Sequence, residues 1–265
     1  MSRRVLITGA AGGIGEAAVA MLRARGARVV GLDLTADDAA EVIACDVRDQ
    51  SSVDAAVTEA VERLGGLDVL INNAGVGDPQ SAGKAPDAAA QAVLDVNLMG
   101  PWRVTAAALP ALRETRGRVV NVASGLAHMS MPYATAYCMS KRGLVAYSDA
   151  LRLEYGGEID VTTVYPGYIR TQIHASSQAA GFGLEGVVPV EDVADAARAL
   201  TGAALGEPVR DLATTRQGTL NYVLARHVPR RLMDRVISAR LRRLARRGHF
   251  GDSSMAGEMV ARLRA

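Results

Sequence analysis

Short runs of consecutive apolar residues alternate along this chain with longer stretches whose apolar positions recur at helical spacing. RVLIT (4–8), RVVGLD (28–33), EVIAC (41–45), LDVLIN (67–72), GRVVNVA (117–123), EIDVTTVYP (158–166) and VRDLAT (209–214) read as strands. Several are unbroken Val/Ile/Leu runs, which suits strands buried on both faces. Residues 13–25, 51–64, 88–112, 135–155 and 191–204 read as amphipathic helices. This alternation predicts right-handed crossovers and a doubly wound α/β fold, its parallel sheet covered on both sides. No internal repeat or low-complexity linker marks a second domain. The expectation is one domain over 1–225 followed by a helical extension over 226–265.

Composition adds two points. Aromatic residues make up only 4% of the chain, so Ala, Val, Leu and Ile must build the core. The net charge of +2 hides an asymmetry: from Arg226 onward 11 Arg face three acids, a net of +8 that leaves the first 225 residues at −6. Within 228–247, Leu232, Met233, Val236, Ile237, Leu241 and Leu244 fall on one broad helix face, with Arg231, Arg235, Arg242 and Arg246 largely outside it. Such a helix can pack on the domain or a sister subunit, or lie on an anionic membrane and deliver a lipid-soluble substrate. Nucleic-acid binding finds no support in a motif or in a basic stripe elsewhere. Cys45 and Cys138 make no disulfide framework and read as reduced, buried thiols. No secretory leader and no run of 18 apolar residues is visible, so the expected location is the cytoplasm, with membrane contact only through the extension.

In such sheets ligands bind beyond the carboxyl ends of the strands. The first strand runs into TGAAGGIG (8–15), where Gly9, Gly13 and Gly15 allow a tight turn and close approach of a pyrophosphate to a helix N-terminus. Asp33 ends the second strand; its carboxylate suits an adenosine ribose and would repel a 2′-phosphate, which favours NAD over NADP. Asp46, in CDV, is placed to meet an adenine edge, and NNAG (72–75) is small and polar where a cofactor could lie flat. The fifth strand ends at Ser124. Tyr137 and Lys141 stand four apart, on one face of a helix, while Asn97 lies in DVNLMGPW. Taken singly, each has an ordinary structural explanation. Jointly with the glycine turn, they point to chemistry. Lys141 also stands out because the chain has only one other lysine, Lys84, among 30 basic residues.

The motifs TGAAGGIG, NNAG and YCMSK (137–141), with Asn97, Ser124 and the turn PGYIRT (166–171), resemble the short-chain dehydrogenase/reductase family over roughly residues 3–225. The resemblance implies a seven-stranded parallel sheet of Rossmann type. It also implies hydride transfer between a nicotinamide and an alcohol or ketone, and a homodimer or homotetramer packed through the helices near 88–112 and 135–155. Tyr137 then looks like the general acid/base and Lys141 its helper, lowering the phenol pKa and holding the nicotinamide ribose. Ser124 would bond the substrate oxygen, and Asn97 would position a water on a proton path. The implied cofactor contacts are Thr8, Gly9, Gly13, Ile14, Gly15, Asp33, Asp46, Val47, Asn73, Ala74, Gly75, Tyr137, Lys141, Pro166, Gly167, Ile169 and Thr171.

The Ala/Gly/Ser-rich residues after Thr171 suit a mobile substrate lid, with His174 and Phe182 as candidate substrate contacts. Met129 and Met131 are expected near the pocket mouth and suggest an apolar substrate. A metal site is disfavoured, because His128, His174, His227 and His249 have no ligand spacing. A hydrolase would need a GxSxG elbow, and Ser124 stands in VASGL. A non-catalytic dinucleotide-binding protein on the same fold is the rival from another class.

Overall fold

The structure, a computed structural model, describes residues 2–181, 190–250, 253 and 255–264. Its elements run β1 (Arg4–Thr8), α1 (Gly13–Ala24), β2 (Arg28–Asp33), β3 (Val42–Ala44), α2 (Gln50–Leu64), β4 (Val69–Asn72), α3 (Ala88–Leu94), α4 (Gly100–Glu114), β5 (Arg118–Val122), α5 (Thr135–Tyr155) and β6 (Asp160–Tyr165). They continue through β7 (Tyr168–Ile169), α6 (Ala175–Ala179), β8 (Val190–Glu191), α7 (Val193–Leu205), β9 (Asp211–Ala213), α8 (Arg216–His227), α9 (Arg230–Arg246) and α10 (Gly257–Arg264). Seven strands form one sheet in the order β3-β2-β1-β4-β5-β6-β9. Every pairing in it is parallel. The unbroken apolar runs have the expected cause: alternate residues serve two cores. Leu6, Leu70, Val119 and Val161 face α2 and α4, whereas Val5, Ile7, Ile71 and Val120 face α1 and α7. Each such side chain, fully buried, contributes roughly 1.5–3 kcal/mol.

Three features depart from the sequence reading. The helix expected over 88–112 is interrupted by a π-helical turn, Asp95–Met99, between α3 and α4. Pro101 has no N–H to donate to the carbonyl of Asn97 four residues back, and the widened turn absorbs that missing bond. A small parallel pair joins Tyr168–Ile169 to Val190–Glu191. The expected boundary at residue 225 falls inside α8, and the helical break comes instead at Val228 and Pro229. Among the described residues no helix is long and apolar enough to cross a membrane.

Candidate active site

The carboxyl ends of six strands open on one groove of about 560 Å³. Its floor begins at the turn after β1, where Gly9 adopts φ +67° and a Cβ there would lie 2.8 Å from the Cα of Ala74. Gly15 is buried behind the turn, and a Cβ on it would meet the Gly9 carbonyl at 1.9 Å. Helix α1 therefore begins in direct contact with the turn, its N-terminus aimed at the groove. Thr8 is likewise buried rather than lining: its hydroxyl accepts from the N–H groups of Asn73 and Ala74 at 3.0 Å each. The Asn73 amide returns bonds to the carbonyls of Thr8 and Gly9, at 3.0 and 3.1 Å. Thr8 and Gly15 thus shape the cradle from behind, while Gly9, Gly13, Ile14, Asn73, Ala74 and Gly75 line it.

At the outer end, the Asp33 carboxylate accepts from the N–H groups of Ala11 and Leu34 at 2.8 Å each. Asp46 and Val47 line the same end, with Arg48, which the sequence reading did not single out. Arg48 bonds the Asp46 carboxylate at 2.7 Å and holds its pKa below the usual range, so this acid is committed to its neighbour. At the inner end Pro166, Gly167, Ile169 and Thr171 line the groove with His174. Burial lowers the His174 pKa, and its ring lies 4.6 Å from that of Tyr168. Phe182 lies outside the described residues. Glu191 holds this end in place: it accepts from Gly167 N–H and Thr215 hydroxyl, both at 2.8 Å, and from Thr214. No motif announces Glu191. Its role arises because β8 pairs with β7, which sets the carboxylate against the Gly167 turn.

Ser124, Tyr137 and Lys141 meet on the inner wall. Burial pushes the Tyr137 phenol up to about 12, opposed by a hydrogen bond from the Ser124 hydroxyl that favours phenolate. Lys141, 3% exposed, is lowered to about 8 by burial. Its ammonium donates to the Val122 carbonyl at 2.9 Å and stands 5.8 Å from the centre of the Tyr137 ring. The Ser124 side chain supplies the effect that opposes burial of the phenol, and the Lys141 ammonium is turned to a main-chain oxygen. Gly75 separates Lys141 from Asn97; a Cβ there would lie 3.6 Å from Nζ and 3.4 Å from Asn97 Oδ1. Asn97 is fully buried and clamps the main chain of Val76, accepting at 2.8 Å and donating at 2.9 Å. It also donates to the Ser140 hydroxyl at 3.3 Å, which in turn donates to the Tyr137 carbonyl at 2.8 Å. These bonds make Asn97 a brace between the NNAG turn and the first turn of α5.

The far side of Tyr137 is covered by the extension. Leu241, Leu244 and Ala245 of α9, with Phe250, Ala256 and Val260, form one apolar cluster with Leu126, Met131 and Cys138, against which Tyr137 and Met129 pack. Met131 is therefore buried under the extension instead of standing at an open mouth. Ser253 ties this cover to the residues after α6 by donating to the Ala180 carbonyl at 2.8 Å.

Comparison with known proteins agrees with this geometry. Residues 3–180 match the family model described as short chain dehydrogenase. Nodulation protein G of Rhizobium sp. (strain N33) is 35% identical over 182 residues, covering 64% of this chain and 74% of the relative. Retinol dehydrogenase 7 of Rattus norvegicus is 39% identical over 186 residues, which span 64% of this chain but only 57% of that protein. The crystal structure of a short-chain dehydrogenase from Streptomyces avermitilis, 27% identical, superposes with a TM-score of 0.72 over 84% of this chain and 92% of its own. With the glycine cradle, the Ser124–Tyr137–Lys141 wall and the parallel sheet in view, the chain belongs to the short-chain dehydrogenase family of oxidoreductases.

Proposed function

We propose that the protein is an NAD(H)-dependent oxidoreductase that interconverts an apolar secondary alcohol and its ketone, with Tyr137 as general acid/base. The observation that carries this reading is Tyr137, set with Ser124 and Lys141 at the inner end of a groove that starts at a glycine cradle and an acceptor carboxylate. The cradle fits a dinucleotide, because Cβ atoms at Gly9 and Gly15 would crowd Ala74 and the Gly9 carbonyl respectively. A nicotinamide dinucleotide in this groove supplies the hydride acceptor or donor. Asp33 favours the form without a 2′-phosphate, and Arg48, the nearby cation in the lining, is engaged by Asp46. NADP remains the weaker ligand on this account.

Tyr137 gives its proton to the carbonyl oxygen in reduction and takes it in oxidation, and Ser124 donates to the same oxygen. At about 12, the phenol holds its proton firmly until a positive charge arrives nearby. The apolar cluster beside Tyr137 supports an apolar substrate. A relative named retinol dehydrogenase supports the same substrate class. The test is spectrophotometric: aliphatic, steroid, retinoid and aromatic alcohols and ketones with each cofactor. Turnover with NAD(H) at a higher kcat/KM than with NADP(H) is expected. NADH binding without turnover across the panel would mark a non-catalytic dinucleotide-binding protein instead.

A homo-oligomer packed through α4 and α5 completes the proposal. These helices present an apolar hollow of about 460 Å³ where Trp102, 53% exposed, lies 5.5 Å from the ring of Tyr147. Light scattering is expected to give a dimer or tetramer that Trp102→Asp dissociates; a monomeric parent protein would refute it.

A further inference from the structure

Helix α9 has two unlike faces. Leu241, Leu244 and Ala245 point into the cluster around Tyr137 and are buried. The sequence reading set Leu232 and Val236 on one broad face with Leu241 and Leu244; in the structure they are instead 49% and 56% exposed, away from the buried side, with Arg235 and Arg243 exposed beside them. The helix carries seven arginines and a single acid, Asp234. Helix α8 repeats the arrangement on a smaller scale. Its Tyr222 packs inward on the rings of Tyr165 and His128, while Leu220, Val223 and Leu224 are exposed on its other side. Solvated helix faces ordinarily carry polar residues there, and the arginines alone would satisfy that need. Outward leucine and valine set among guanidinium groups answer a different environment.

We propose that α9, with α8, is a docking surface for an anionic lipid bilayer, seating the catalytic tyrosine's apolar cover at the membrane interface. The exposed Leu and Val side chains would enter the boundary of the acyl chains, while the arginines bind phosphate groups of the lipid heads. A second copy of the chain is the poorer occupant, because a two-fold contact would oppose one arginine-rich face to another. A nucleic acid would engage the arginines but leave the apolar pairs without a role. Because α9's inner face touches the cluster around Tyr137, docking brings a lipid-dissolved alcohol to the side of the site that the extension covers.

The experiment is co-sedimentation of the full chain with vesicles of phosphatidylcholine alone and with about 30% phosphatidylglycerol, at about 0.1 M salt. The protein is expected to pellet with the anionic vesicles and stay in solution with the neutral ones. Leu232→Ser/Val236→Ser should lower partitioning at least tenfold, and Arg235→Glu/Arg243→Glu by about fivefold per arginine engaged. All four positions are exposed, so melting temperature and NADH binding should stay unchanged and separate lost docking from lost folding. The proposal is overturned by equal pelleting with both vesicles, by no pelleting, or by full pelleting of the Leu/Val variant. Self-association lost in that variant without vesicle binding would assign the face to a second copy, and tighter retention on an RNA oligonucleotide than on vesicles would assign it to a polyanion. Since vesicle binding is scored without turnover, its failure leaves the oxidoreductase reading intact.

Discussion

The nucleotide groove and the cover over Tyr137 lie on either side of one helix, α5, and are built on opposite principles. The groove is held by polar bonds to main chain: Thr8 and Asn73 stitch β1 to β4, Asn97 clamps Val76, and Glu191 holds Gly167. Its tolerances are below one methyl group, as Gly15 shows. The cover is apolar contact between α9–α10 and the segment after Ser124, and its side chains need only fill a volume. A site that must hold a cofactor the same way every time is bonded. A cover that need only exclude water is merely packed.

The largest effect should come where the two meet. Tyr137→Phe keeps the ring that the cover packs against and removes the proton, so kcat should fall about 10²–10⁴-fold with NADH affinity unchanged in fluorescence titration. The next pair tests the contrast directly. Gly15→Ala adds one methyl against the Gly9 carbonyl and should cost ~3 kcal/mol or more in denaturant melts, with loss of NADH binding. Leu244→Met in the cover conserves volume and should cost less than ~1.5 kcal/mol, altering KM for the apolar substrate and not for NADH. Equal costs would erase the distinction between a bonded and a packed wall.

Lys141→Met should abolish turnover yet stabilise the fold. The lysine's folded pKa, about 8, lies below its ordinary 10.5, so the buried charge costs most below pH 8 and the cost fades as pH rises to 10.5. Discounting the lost bond to Val122, the variant should gain ~1–3 kcal/mol at pH 7, and the gain should shrink between pH 8 and 10.5. A pH-independent difference would show that the ammonium is not penalised. Asp33→Asn has the smallest reach: the ratio of kcat/KM for NADH to that for NADPH should fall about tenfold, with stability little changed.

The fold was legible because unbroken apolar runs in a chain with regular helical spacers have few other solutions. The groove was legible because TGAAGGIG, NNAG, Ser124 and the Tyr137–Lys141 pair sit at strand and helix ends, where their spacing carries geometry. What stayed hidden depends on partners far away in sequence. Glu191 looks like a residue before a helix until β7 pairs with β8, and Asp46 looks free until Arg48 folds onto it. The break at Asp95–Met99 was masked by continuous helical periodicity around it, with Pro101 as the one signal. The amphipathy of 228–247 was plain, but periodicity cannot say that Leu241 and Leu244 end beside Tyr137.

That the cover follows the groove in chain order has a consequence during synthesis. Every described residue lining the groove has been made by His174, whereas Phe250 and Val260 follow about 76 and 86 residues later. At about 5–20 residues per second, translation leaves an interval of roughly 4–17 seconds between the two. Through that interval Leu126, Met131 and Cys138 lack the partners that will bury them. A nascent chain, or one terminated early, therefore carries its nucleotide cradle before the tyrosine has a roof.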